Sequence, residues 1–69
     1  MEFWKFNDSP KTPGWYAVLV CFDVDEGAFP QAAQWDGNEW GRKAVVAFGE
    51  SRQTQQEAED LAYEHDPDA

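Results

Sequence analysis

Near the middle of the 69-residue chain, a short turn signal is flanked by two tryptophans, and it constrains the fold more than any other feature. Residues 35–40 read W-D-G-N-E-W, and a Gly-Asn pair between apolar residues favours a two-residue β-hairpin turn. A turn at Gly37 and Asn38 pairs Trp35 with Trp40 and sets two acids opposite each other, at a small cost in stability. A turn one residue earlier would instead pair Trp35 with Asn38.

Apolar strands are predicted on both sides of this turn. Residues 15–22 are apolar at every position, so we expect both faces of that strand to be covered, and its β-branched and aromatic content favours a central strand. A returning strand is predicted over 29–35, with Pro30 at its first residue or on an edge. A third strand is predicted over 43–48, before a glycine ends it.

A C-terminal helix is predicted where the sequence changes to helical periodicity. Thr54, followed three residues later by Glu57, has the spacing of a capping box, which marks a helix start. We expect the helix over 54–65 and a frayed tail over 66–69, which contains a helix-ending Pro67. The inward-facing stripe of this helix is predicted to consist of Ala58, Leu61, Ala62 and His65.

The first part of the chain, 1–14, is predicted to be an N-terminal segment and loop. Its aromatics Phe3, Trp4 and Phe6 are expected to form a short edge strand or to cover the sheet face opposite the helix. The predicted fold is therefore α+β, in one small domain: a three- or four-stranded antiparallel meander over 15–48, with one C-terminal helix packed on one face.

No motif in the sequence predicts catalysis or a bound metal. Cys21 and His65 are single residues of their types, and Cys21 lies in an apolar strand, where burial lowers the reactivity of a thiol. The acidic turn at 23–27 lacks the ligand spacing of a calcium loop. We therefore expect a non-enzymatic protein without a cofactor or metal. One cysteine and no signal-peptide pattern at the start favour a cytoplasmic location.

Acidic residues dominate the charge. Fourteen Asp and Glu against five Lys and Arg give a formal charge of −9, which disfavours direct binding of nucleic acid or anionic membranes and favours a basic protein partner. All the bases lie at or before Arg52, so the charge is polarised along the chain. The alternative is that the acidity serves solubility only. The candidate partner-binding residues are Asp23, Asp25, Glu26, Glu57, Glu59, Asp60 and Glu64.

Three of these acids form a row on the predicted helix. Glu57, Asp60 and Glu64 span roughly 10 Å along the axis, and the spacing of their carboxylates is of the same order as that of phosphates along one DNA strand. Like charges at helical spacing, and acids near a helix C-terminus, oppose helix stability. The row therefore favours a functional acidic surface.

Two resemblances add to this interpretation. P-G-W-Y at 13–16 and W-x-G-x-x-W at 35–40 are similar to a pattern of small uncharacterised phage and prophage β-meander proteins. The small size, the acidity and the strand-and-helix plan also resemble phage anti-CRISPR proteins that mimic DNA, such as type I-C inhibitors.

The anti-CRISPR resemblance implies a monomeric, stoichiometric inhibitor in the cytoplasm of a bacterial host. Its carboxylates would occupy the basic channel with which a CRISPR surveillance complex, through its large subunit, holds target DNA. The alternative interpretation is a small phage protein-protein interaction module in which aromatics such as Trp4 and Trp40 contact the partner.

Overall fold

The computed structural model describes residues 3–66, which form one antiparallel sheet and one helix. The strand order across the sheet is β1-β4-β2-β3, which makes β2 a central strand as predicted. The α+β class with a C-terminal helix on one face is confirmed. The elements are β1 (Lys5–Phe6), β2 (Gly14–Val20), β3 (Phe29–Trp35), β4 (Val45–Arg52) and α1 (Gln55–Glu64).

Helix α1 begins where the capping spacing predicts. Thr54 is the N-cap residue, and its side-chain oxygen accepts a hydrogen bond from the backbone N–H of Glu57 at 3.2 Å. The Thr54 hydroxyl in turn donates to the Glu57 carboxylate at 3.1 Å. The first of these bonds satisfies a backbone N–H that the first helical turn leaves without a partner, and the second orients the Glu57 carboxylate. Pro67 and most of the predicted tail lie outside the described residues.

Both faces of β2 are buried because different parts of the chain cover them. On one face, alternate residues of β2 pack with Trp35 of β3 and Phe48 of β4. On the other face, Ala17 packs against Leu61 and Ala62 of α1. We call the first cluster the sheet core, and its buried members are Tyr16, Val18, Val20, Ala33, Trp35 and Phe48.

Strand β4 does not continue alongside β3, as it would in a simple meander. Both strands pair antiparallel with β2, on its two opposite sides. They therefore run parallel to each other, and parallel strands need a connection that returns over the length of the sheet. Segment 36–44 makes this connection and brings Trp40 onto the sheet core, with ring centroids 5.8 Å from Tyr16 and 6.1 Å from Phe48.

The turn predicted at Gly37 and Asn38 is confirmed. Trp35 and Trp40 form an antiparallel β-bridge, and their ring centroids are 5.0 Å apart. The alternative pairing of Trp35 with Asn38 is therefore wrong. A hydrogen bond from the backbone N–H of Gly41 to the carbonyl of residue 34, at 2.8 Å, extends the pairing by one step.

The two acids of this turn do not simply repel each other. The Asp36 carboxylate accepts hydrogen bonds from the backbone N–H groups of Glu39 at 2.7 Å and Asn38 at 2.8 Å. These bonds favour the ionised form and hold the pKa of Asp36 below its ordinary value. Asp36 therefore stabilises the turn, because its carboxylate satisfies two backbone donors.

Of the two predictions for the N-terminal aromatics, the short edge strand is confirmed as β1. The prediction that they cover the face opposite the helix is wrong, because they lie on the helix side of the sheet. Phe3 and Trp4 pack with the helix, and Phe6 is 56% exposed. The reason is Gly49, since the Phe3 ring occupies the space where a side chain at this position would lie. The Phe3 ring stacks on His65, with centroids 3.8 Å apart, and the Trp4 indole N–H donates to the His65 carbonyl at 2.8 Å.

These contacts also explain why His65 departs from its predicted place in the inward stripe. Ala58, Leu61 and Ala62 are buried as predicted, whereas His65 is the exposed C-cap residue. Its ring covers Phe3 instead of packing into the sheet.

We expect Gly49→Ala to lower the free energy of unfolding by about 1–3 kcal/mol, because the added methyl group would displace the Phe3 ring. The matched control is Gly41→Ala, where the new Cβ would meet its nearest atom at 3.5 Å, an ordinary contact. Urea denaturation of both variants measures the costs. If the loss comes from Phe3, it shrinks when Gly49→Ala is made in a Phe3→Ala background, and an unchanged loss would contradict this explanation.

The turn gives a second prediction, on pH. Because the folded pKa of Asp36 is lowered, its stabilising effect is complete above the unfolded pKa of about 3.9 and is lost as the pH falls through the folded value. Native protein should therefore exceed Asp36→Asn in stability near neutral pH, and the difference should shrink as the pH falls below about 4. Urea midpoints measured along a pH series test this, and a difference independent of pH would contradict it.

Candidate functional site

The side of α1 that faces away from the sheet carries most of the predicted partner-binding acids. Glu57, Asp60 and Glu64 are exposed there, and Glu59 is half-buried at the border. Because the buried alanines and leucine fix which side packs on the sheet, the acids can only point outward. We call this surface the acidic helix face, and it comprises Gln56, Glu57, Glu59, Asp60, Tyr63 and Glu64.

Hydrogen bonds within the helix orient two of these carboxylates. Glu57 accepts from the Thr54 hydroxyl, and Asp60 accepts from the side-chain amide of Gln56 at 3.0 Å. Both donors are neutral, so they position the carboxylates without cancelling their charge.

No ion pair between described residues neutralises the acidic helix face. The ion pair found within 3–66 joins Arg52 to Glu50 at 3.5 Å, and both of its residues belong to β4. The last turn of α1 also contains no basic residue. Clustered carboxylates without a cationic partner produce a negative potential that attracts basic surfaces.

An exposed aromatic side chain, Tyr63, lies among the acids. It is 51% exposed, and on a helix it neighbours Glu59 and Asp60, which lie four and three residues earlier. Tyrosine combines a large apolar surface with a polar hydroxyl, and such residues often dominate binding energy at interfaces. The sequence analysis missed Tyr63, although its position outside the inward stripe was a signal that could have found it.

The remaining predicted acids lie in the turn between β2 and β3. The Asp23 carboxylate accepts from the backbone N–H of Asp25 at 2.9 Å, and the Asp23 carbonyl accepts from Gly27 at 3.1 Å. Asp23 therefore shapes the turn. Asp25 and Glu26 are exposed and are the members of this group that are free to face a partner.

The acidic turn and the start of α1 lie at opposite ends of the sheet. The turn follows Val20, which pairs with Phe29, whereas Gln55 lines a recess with Trp15 and Gln34 at the other end of the same strands. Strands of seven residues span about 20 Å. The structure thus does not bring the turn acids beside the first acids of the helix.

The tryptophans considered as exposed anchors are engaged within the chain. Trp4 is half-buried and donates its indole N–H to the carbonyl of His65. Trp40 is half-buried against the sheet core. Their contacts identify both residues as parts of the fold.

Within the described range, no group of three or more His, Cys, Asp and Glu side chains is arranged to hold a metal ion. Among residues 3–66, no helix is long and apolar enough to cross a bilayer.

No protein-family model, curated protein or solved structure matches the chain. The resemblances drawn from the sequence therefore stay predictions.

Proposed function

We propose that this protein is a non-enzymatic inhibitor that mimics DNA and occupies the basic DNA-binding surface of another protein. The anti-CRISPR resemblance makes a CRISPR surveillance complex the partner to test. The observation that carries the proposal is the acidic helix face, where four carboxylates and an exposed tyrosine share a surface that no base among the described residues neutralises.

The density of charge on this face supports the proposal. Glu57 and Glu64 lie seven residues apart, which corresponds to roughly 10 Å along the helix axis. Three exposed carboxylates occupy that length, with Glu59 half-buried at the border, and one DNA strand carries about three phosphates over the same distance. A channel whose Lys and Arg side chains are spaced for phosphates can therefore meet the face with several charges at once.

The rigidity of the helix also supports the proposal. Its start is fixed by the Thr54 cap, and its end is held by the contacts of Phe3 and Trp4 with His65. A partner that binds this face does not have to order the backbone first, so less binding energy is lost.

The position of Glu64 shows that helix stability alone does not explain the acids of α1. A carboxylate in the last turn opposes the helix dipole, and a lysine there would be favourable. If the acids serve solubility only, an acid at any other exposed site would increase solubility equally. The two interpretations therefore differ in whether the position of a charge matters.

Charge reversal at matched positions separates them. We expect Asp60→Lys to weaken binding to a purified type I-C surveillance complex about tenfold or more, because it places a cation against a basic channel. The control Glu39→Lys changes the net charge equally at another exposed site and should change the dissociation constant less than about threefold. Fluorescence anisotropy at one ionic strength measures both. Equal losses, or no binding by the native protein, would contradict the proposal.

Tyr63 gives a further test. If it enters the interface as an apolar anchor, Tyr63→Ala should cost about 2 kcal/mol of binding, which is roughly a thirtyfold rise in the dissociation constant. The control is Phe6→Ala, since Phe6 is exposed to a similar degree but belongs to β1. Titration calorimetry with the same complex measures the two affinities. If the Tyr63→Ala variant binds with unchanged affinity, Tyr63 is not part of the site. The charge-reversal experiment then tests the acids independently.

A further inference from the structure

A second surface, unlike the acidic helix face, lies beside the end of β4. There a groove of about 870 Å³ separates the loop at 8–11 from residues 48–52. Three aromatic side chains contribute to its lining: Phe3, Tyr16 and Phe48. We call it the β4 groove.

The β4 groove collects positive charge in an otherwise acidic protein. Lys5, Lys11 and Arg52 line it, which is three of the five bases in a chain of net charge −9. Two acids also line it, Asp8 and Glu50, and the ion pair with Glu50 offsets the charge of Arg52. Asp8 accepts from the backbone N–H of the next residue at 2.8 Å, and Glu50 pairs with Arg52 at 3.5 Å. The lining therefore carries a net charge of the opposite sign to that of the whole chain.

The backbone beside the groove is an open sheet edge. Strand β1 pairs with β4 at Ala47 and Phe48, whereas β4 continues to Arg52. Among the described residues, no strand pairs with 50–52 on the side away from β2. An edge of this kind can hydrogen-bond an added extended segment through its N–H and C=O groups.

We propose that the β4 groove binds an extended peptide segment with carboxylate side chains, which adds as a strand to the edge of β4 at 50–52. The open edge supplies the backbone hydrogen bonds. Lys5 and Lys11, which form no ion pair with a described residue, supply complementary charge for the peptide carboxylates, and the aromatic lining contacts the side chains between them. This site is separate from the acidic helix face and does not depend on the function proposed for it.

The probe is a fluorescein-labelled heptapeptide of alternating glutamate and valine, with a matched peptide of alternating lysine and valine. Binding is followed by anisotropy and by amide shifts of ¹⁵N-labelled protein at about 0.15 M ionic strength, where screening over about 8 Å reduces the repulsion from distant acids. We expect the acidic peptide to shift amides of 50–52 and of the 8–11 loop. The lysine peptide should leave those amides unchanged.

Variants and a modified peptide test the two parts of the proposal. Lys5→Gln combined with Lys11→Gln should weaken binding about fivefold to tenfold, whereas the control Lys43→Gln, an exposed base outside the groove, should leave it unchanged. N-methylation at alternate residues of the acidic peptide removes backbone donors and should abolish binding if a strand is added.

Several results would overturn the proposal. The first is the absence of amide shifts at millimolar acidic peptide. The second is equal binding of the lysine peptide or of the N-methylated peptide. The third is an unchanged affinity of the double variant for the acidic peptide. Sedimentation that shows a dimer, with the peptide unable to compete, would assign the edge to a second copy of the chain and would also refute it.

Discussion

Strand β2 buries side chains on both faces of the sheet, and the positions of the other elements follow from this. Val18 and Val20 on one face and Ala17 and Leu19 on the other are 0–1% exposed. A chain this short has few residues to bury, so a stable core requires that both faces of the sheet be covered. The helix packs on one face, and Trp40, carried by the connection 36–44, packs on the other together with Phe29 and Val45. That connection is also why β3 and β4 lie on opposite sides of β2.

The packing on both faces of the sheet determines which surfaces remain exposed. Once Leu61 and Ala62 contact the sheet, the acids of α1 face solvent, and the stacking of Phe3 on His65 fixes the end of the helix. The same N-terminal segment pairs with β4 only at Lys5 and Phe6, and Trp4, which precedes them, donates its indole N–H to the carbonyl of His65. One set of packing contacts thus produces both an acidic face and an open basic groove.

The features that could be predicted from the sequence depend on short-range signals. The Gly-Asn turn, the Thr54 cap and the central place of β2 were confirmed because each signal lies within a few residues of the structure it specifies. Two strand ends were predicted wrongly: β2 ends at Val20, so Cys21 and the exposed Phe22 lie outside it, and β4 continues through Gly49 to Arg52. The strand order, the place of Phe3 and the role of Asp36 depend on non-local contacts or on side-chain hydrogen bonds. The fit of Phe3 over Gly49 is an example, since nothing near either residue in the sequence indicates the other. The acids of the helix were placed correctly on an exposed face, whereas Tyr63 and the β4 groove needed the folded structure.

We propose that the acidic helix face and DNA compete for one basic surface, and a competition experiment distinguishes this from binding at separate sites. A type I-C surveillance complex is saturated with a labelled target duplex and titrated with the protein, with binding of both components followed in the same sample. We expect the protein and the duplex to exclude each other, and the affinity of the protein to fall steeply with added salt, as the affinity of DNA for such a channel does. A stable ternary complex that contains protein and duplex together would contradict it.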